Sequence, residues 1–110
     1  MLGGGDMSFE KAVELKPRQV QKMRCIGALT DREFNAINNM QGRGLRPRLG
    51  DDRIYFGDAK NRPVAAVHRS EDKAVVYQST CTPEELRRYG LGLQSAGYDQ
   101  IQGFARTETH

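Results

Sequence analysis

The chain has 110 residues and a net charge of +3, with 17 lysines and arginines against 14 aspartates and glutamates. Its length suits one domain, and Leu, Ile, Val and Phe together make up 20 % of it, close to the lower limit for a chain that folds around a core. No apolar run approaches the ~20 residues that span a bilayer, and no basic start precedes an apolar segment as in a secretory signal. We therefore expect no membrane partner.

The N-terminal part of the chain predicts helices. Ser8 can cap a short helix over residues 9–15, which Lys16 ends because the residue before a proline avoids helical geometry. A second helix is predicted over residues 18–28, where apolar residues recur at helical spacing. Residues 24–29 could instead form a short strand.

A capping box then predicts the next helix. Thr30 is followed three residues later by Glu33, so that each side chain can bind the other residue's backbone N–H. The helix is predicted over residues 31–40 and is ended by the glycines that follow. Residues 41–50 show no periodicity and are interpreted as a loop or an extended segment.

Strands dominate the next part of the pattern. Residues 53–56, 63–69 and 73–79 are rich in β-branched, aromatic and small apolar residues, and short polar segments connect them. Pro63 is tolerated because it stands at the start of its strand. Short connections of this kind predict an antiparallel meander of three strands.

A second capping box, Thr82 with Glu85, predicts a helix that continues to Ala96 and ends at Gly97. Residues 98–105 could add a fourth strand. The predicted fold is therefore α+β, with two to three N-terminal helices, a three-stranded antiparallel meander, and then a helix packed on the sheet. In this interpretation residues 1–7 are a flexible leader, residues 8–105 form one domain, and residues 106–110 are a frayed tail.

The excess of positive over negative charge lies entirely in the first half of the chain, since residues 1–55 carry the net +3 and residues 56–110 have a net charge of zero. Two stretches, 16–24 and 43–48, hold several basic residues and no acidic one. Guanidinium groups on such open segments can reach phosphates, which suits contact with a nucleic-acid backbone. The alternative is an ordinary solvated surface, since Asp51 and Asp52 follow the second stretch directly and dilute its charge. The predicted contact residues are Lys16, Arg18, Lys22, Arg24, Arg43, Arg46 and Arg48.

Residues 18–28 and 30–40 also have the length of a helix-turn-helix, whose second helix would enter a DNA groove. The outward residues of that helix would be Asp31, Arg32, Asn35, Asn38 and Asn39. We favour the alternative of two packed helices with solvent-exposed polar faces, because the acidic side chains of residues 31 and 33 would lie against negatively charged phosphate.

A third candidate site lies in the predicted strands and consists of Tyr55, His68, Arg69, Lys73 and Tyr77. An imidazole beside arginine and tyrosine suits general acid–base cleavage of RNA. The register decides whether these groups meet. A two-residue turn at residues 71–72 would place His68 and Tyr77 on the same side of the sheet, whereas a three-residue turn at residues 70–72 would place them on opposite sides.

Residues 48–56 (RLGDDRIYF) and the strands up to Tyr77 resemble the small ribosome-dependent RNase toxins of bacterial toxin–antitoxin pairs. The resemblance covers less than a third of the chain and implies helices before an antiparallel sheet that bears basic residues, histidine and tyrosine. The sequence departs from that pattern at its start, where no opening strand is predicted. A three-stranded sheet followed by a helix is also similar to the DNA-binding arms of some phage integrases.

Cofactor and metal chemistry is not expected. A zinc site would have to combine Cys25, Cys81, His68 and His110, which lack the paired spacing of structural zinc ligands. No phosphate-binding loop, nucleophile elbow or HExxH motif is present. The two cysteines are interpreted as buried free thiols, which fits a cytoplasmic location.

The leading hypothesis is a small non-enzymatic nucleic-acid-binding protein, of bacterial or phage type, that contacts phosphates through residues 16–24 and 43–48. The alternative is a protein-interaction module that regulates or inhibits a partner protein. A small RNase of toxin type is the third hypothesis. DNA and RNA remain equal alternatives, and the pattern specifies no oligomeric state.

Overall fold

A computed structural model describes residues 8–104. The predicted leader over residues 1–7 and the predicted tail over residues 106–110 lie outside the described residues. The structure contains three α-helices and a six-stranded mixed sheet. The helices are α1 (Pro17–Cys25), α2 (Asp31–Gln41) and α3 (Pro83–Ala96), and the strands are β1 (Val13–Glu14), β2 (Arg46–Leu49), β3 (Arg53–Gly57), β4 (Pro63–His68), β5 (Lys73–Val76) and β6 (Ile101–Gln102).

The strands follow one another across the sheet in chain order, β1 to β6. Neighbours from β1 to β5 are antiparallel. The last pair is parallel, because α3 carries the chain back before β6 adds to β5.

The predicted arrangement of two to three N-terminal helices followed by a three-stranded meander was wrong. The helices lie mostly between strands, and the sheet has six strands. In place of the helix predicted over residues 9–15, the chain forms a 3₁₀ turn at Phe9–Lys11 and then β1. The Ser8 side chain makes no cap hydrogen bond to this turn.

The segment interpreted as a loop or an extended segment over residues 41–50 contains β2, which pairs with β1 on one side and β3 on the other. Proline would normally argue against a strand with two neighbours. Here the Pro47 carbonyl accepts a hydrogen bond from the Leu15 N–H at 2.9 Å, on the side of β1. The proline nitrogen faces that same side, so the ladder to β3 loses no donor.

The local helix signals were confirmed. Thr30 Oγ1 accepts a hydrogen bond from the Glu33 N–H at 3.0 Å, and Glu33 Oε1 accepts one from the Thr30 N–H at 2.9 Å. Thr82 and Glu85 make the same reciprocal pair at 3.1 and 2.9 Å. Helix α3 ends at Gly97, whose φ of +116° is the left-handed conformation that glycine adopts without strain.

The helices pack on one face of the sheet and enclose the main core. A bulge in β4 turns both Val64 and Ala65 toward this side. The largest buried side chains between helices and sheet are Ile37, Met40, Ile54, Phe56, Leu93 and Tyr98. Among residues 8–104, the opposite face carries no α-helix, and the 3₁₀ turn at Phe9–Lys11 lies against it. Within the same residues, none of the helices has the length and apolar character needed to cross a membrane.

Candidate functional site

The face of the sheet that lies opposite the helices is called the open face. Side chains alternate between the two faces along each strand, and the register identifies which residues share this one. It carries several basic and aromatic side chains. Its residues are Glu14, Arg46, Arg48, Arg53, Tyr55, Ala66, His68, Lys73, Val75, Tyr77 and Gln102.

The strand register shows whether His68 and Tyr77 lie on the same face of the sheet, which the sequence left open. His68 pairs with Lys73, so a four-residue connection joins β4 and β5 and places His68 and Tyr77 on the same face. Tyr77 is four residues further along than Lys73, which corresponds to about 13 Å at the usual rise of a strand. His68 and Tyr77 therefore share a face but are not in contact range.

Three side chains at one end of the open face form a cluster that we call the basic row: Arg53, His68 and Lys73. Arg53 pairs with His68 and His68 pairs with Lys73, so the three are cross-strand neighbours on β3, β4 and β5. Acidic groups lie beside the row. Glu71 Oε1 is 3.0 Å from Lys73 Nζ. The basic row thus places the imidazole of His68 between the positive charges of Arg53 and Lys73, with Glu71 beside it.

The pKa of His68 reflects this environment. Partial burial lowers the pKa below its ordinary value of 6.5, and the charges of Arg53 and Lys73 lower it further, while Glu71 and Asp52 oppose the shift. The imidazole is consequently neutral near pH 7. The positive charge of the open face comes from arginine and lysine.

The N-terminal turn covers the middle of the open face. The Phe9 ring meets the Tyr55 ring edge to face, with 5.8 Å between ring centroids. The Arg48 guanidinium lies 4.2 Å from the centroid of the Phe9 ring, and its Nη1 donates a hydrogen bond to the Phe9 carbonyl at 2.9 Å. Tyr55 is only 5 % exposed and belongs to a small second core with Ala12 and Ala66.

Arg69 does not join the other members of the predicted strand cluster. Its Nε donates to Glu33 Oε2 at 2.9 Å, and its Nη2 donates to Glu33 Oε1 at 3.2 Å and to the Ala28 carbonyl at 2.6 Å. Glu33 is 4 % exposed. Arg69 therefore fastens the end of β4 to the start of α2 and is a structural residue.

The predicted basic residues of α1 lie on the helix side of the sheet. Val20 of this helix is buried in the main core, while Lys16, Arg18 and Lys22 are exposed. Arg24 covers the Phe34 ring at 4.1 Å from its centroid. Its Nη2 also lies 3.7 Å from the carboxylate of Asp31, one of the residues predicted to face outward from α2.

The three predicted arginines of residues 43–48 divide between the two sides. Arg43 bonds to backbone carbonyls of the helical layer, with its Nε 3.1 Å from the Arg88 oxygen and its Nη1 3.1 Å from the Asn39 oxygen. Arg46 and Arg48 lie on the open face, and Arg46 is exposed. The seven predicted contact residues therefore do not form one surface.

Helix α2 is part of the packed layer, as the alternative to a helix-turn-helix requires. It packs against both α1 and α3. Arg32 Nη1 lies 2.7 Å from the Asp72 carboxylate, and Asn39 Nδ2 donates to the Gly92 carbonyl at 2.9 Å. Side chains that a recognition helix would present to DNA are thus used within the fold.

An open pocket with a volume of about 380 Å³ lies at the other end of the open face, where β5 ends beside β6. Its lining includes Tyr77, Gln78, Ser79, Gln102 and Gly103. Sequence analysis missed this pocket. Its two walls come from residues 23 or more positions apart, which the parallel pairing of β5 with β6 brings together.

The cysteines are free in the structure. Cys81 is half-buried, which raises the pKa of its thiol, and Cys25 is exposed, so the expectation that both are buried was wrong. In the described part of the chain no group of three or more His, Cys, Asp and Glu residues is placed to hold a metal ion. His110 of the disfavoured zinc set lies outside that part.

Comparisons with protein-family models, with curated proteins and with solved structures give no match. Three features of the fold bear on the function. These are the basic side chains of the open face, the spacing of His68 and Tyr77, and the pocket beside β6.

Proposed function

We propose that this chain binds nucleic acid through the open face, contacting phosphates with its arginines. The observation that carries the proposal is the charge of the strands on this face. Four basic side chains, Arg46, Arg48, Arg53 and Lys73, share it with one acidic side chain, Glu14. A surface of this charge attracts a polyanion and neutralises its phosphates.

For Arg48 and Lys73, the contacts within the fold leave the charge available to a phosphate. Arg48 bonds to a neutral carbonyl, so its positive charge is not cancelled by that partner. Lys73 pairs with Glu71, and both side chains are solvent-accessible. Exposed ion pairs of this kind contribute little free energy, so a phosphate can compete for the ammonium group.

The geometry favours binding over cleavage. A general acid and base must both reach the reacting group within hydrogen-bond distance. His68 and Tyr77 are about 13 Å apart along the sheet. Tyr55 is covered by Phe9, and Arg69 is held by Glu33. The residues of the RNase hypothesis are therefore dispersed or occupied.

A protein interaction at the sheet edge is the second candidate function. Strand β1 has two residues and forms one edge of the sheet, and its Val13 side chain is 58 % exposed. A partner segment could extend the sheet there by strand addition. A stoichiometric protein partner that stays bound after nuclease treatment would support this function.

The test of the first proposal is the anisotropy of labelled single-stranded and duplex DNA and RNA, measured over a series of salt concentrations. Binding is expected at low salt, with an affinity that falls linearly on a logarithmic salt axis. Absence of binding to all four ligands at low salt would overturn the proposal.

A further inference from the structure

The pocket beside β6 differs in chemistry from the rest of the open face. None of the residues that line it carries a charge, whereas the open face has Lys73 further along β5 and arginines on β2 and β3. Its volume of about 380 Å³ lies within the range of small-ligand sites. The pocket therefore suits a neutral, polar group of small size.

Its lining provides a flat apolar surface and polar groups of both kinds. The half-buried Tyr77 offers an aromatic ring, and Val75 adds apolar surface next to it. Gln78 and Gln102 each carry an amide that both donates and accepts hydrogen bonds, and Ser79 carries a hydroxyl that does the same. A planar ring with hydrogen-bond donors and acceptors on its edge would match this lining. Nucleobases are rings of this kind.

The backbone around the pocket is constrained by one residue. Gly103 has a φ of +85°, and a Cβ atom added there would collide with the Val76 carbonyl oxygen. Glycine therefore allows the segment after β6 to approach the end of β5. The pocket wall is built by this close approach of the two backbones, and Gln78 Nε2 adds a long hydrogen bond of 3.5 Å to the Gly103 carbonyl.

We propose that this pocket binds one unstacked base of a single-stranded nucleic acid whose phosphates lie on the arginines of the open face. The inference rests on the proposed function, and it names the ligand class of the same surface. The pocket and the basic row share one face, about 13 Å apart along the strands. In a duplex the bases are paired and stacked, so only a single strand presents a base to such a pocket.

The first test uses ligands that separate base from phosphate. Backbone amide shifts are measured on addition of adenosine or uridine, which carry no phosphate, and of ribose 5-phosphate, which carries no base. The nucleosides are expected to shift the amides of Tyr77, Gln102 and Gly103, and the sugar phosphate those of the open-face arginines, Arg46, Arg48 and Arg53. Nucleosides that shift no pocket amide would overturn the inference.

The second test compares an intact single-stranded oligonucleotide with an abasic one of the same length. The intact strand is expected to bind about tenfold more tightly, because stacking on an aromatic side chain contributes at this level. Tyr77→Ala and Gln102→Ala should each reduce the difference, while Tyr77→Phe should keep it. Gln102 is exposed, so Gln102→Ala serves even where Tyr77→Ala impairs folding.

The binding experiments distinguish failure of the base pocket from failure of nucleic-acid binding by the open face. Equal binding of intact and abasic strands, with no effect of either variant, would overturn the base pocket and leave phosphate binding intact. No binding of any oligonucleotide at low salt would overturn the proposed function. The nucleoside shifts would then decide the pocket independently, since they require no phosphate contact.

Discussion

The pKa of His68 depends on the individual charges that surround it on the open face. Arg53 and Lys73 on the flanking strands lower its pKa, in addition to the effect of burial. We expect an NMR titration to give a pKa below 6.5, and Lys73→Gln to move that pKa upward. Lys22→Gln, on α1, should leave it unchanged. A pKa that does not respond to Lys73→Gln would contradict the assigned contact between the two strands.

The same shift makes stability depend on pH. Because the native pKa of His68 lies below 6.5, the unfolded chain binds more protons once the pH falls below that value. Stability should therefore decrease as the pH is lowered from 6.5 through the native pKa of this histidine. In His68→Gln, urea unfolding should show a smaller decrease over that interval, whereas an unchanged decrease would assign the effect to other groups.

The Arg69–Glu33 ion pair is the main buried electrostatic contact of the described chain. Arg69→Ala leaves the Glu33 carboxylate buried without its cation, which should lower the free energy of unfolding by about 3 kcal/mol. Arg62→Ala is the control, because the Arg62–Asp58 pair is exposed on the arginine side and should contribute less than about 1 kcal/mol. Similar losses in urea unfolding for both variants would contradict the structural role of Arg69.

At the scale of elements, the end of the sheet depends on Gly103. Alanine there meets both a left-handed backbone and the Val76 carbonyl oxygen, so Gly103→Ala should cost more than about 2 kcal/mol. Gly27→Ala is a matched control, because Gly27 also has a positive φ but no atom lies within 4 Å of an added Cβ. It should cost about 1 kcal/mol. Equal losses in thermal unfolding would show that β6 is not closely packed on β5.

Local signals predicted some elements, and long-range pairing decided others. The capping boxes at Thr30 and Thr82 could be recognised because each joins residues three positions apart. Strand β1 pairs with β2, more than 30 residues later. A helix was predicted at β1, and at β2 the alternatives were a loop and an extended segment, because each strand is short and needs the other. Arg46 to Leu49 does alternate polar with apolar residues, but Pro47 concealed the pattern.

For the candidate site as well, local sequence signals identified some residues, while long-range pairing decided which of them lie together. Basic residues were identified from composition, yet their grouping depends on which face each strand presents. Arg53 was not selected, although it shares the alternation of Tyr55 on β3. Gln102 was not selected because β6 has only two residues. Arg69 was selected wrongly for the strand cluster, since its partner Glu33 is 36 residues away in the sequence.

At the scale of the whole molecule, the fold separates two sets of positive charge. Lys16, Arg18 and Lys22 lie with the helices, and Arg46, Arg48 and Arg53 lie on the open face. A nucleic acid that crosses the open face should contact only the second set. Substitution of the exposed Arg46 should therefore weaken binding, and substitution of the exposed Lys22 should not.

The most direct measurement is the salt dependence of single-strand binding for wild type, Arg46→Ala and Lys22→Ala. Loss of one phosphate contact should weaken binding and reduce the slope of log affinity against log salt by about 1 for Arg46→Ala. Lys22→Ala should match wild type in both quantities. A reduced affinity and slope for Lys22→Ala, with Arg46→Ala unchanged, would place the interface on the helices and contradict the assignment of the open face.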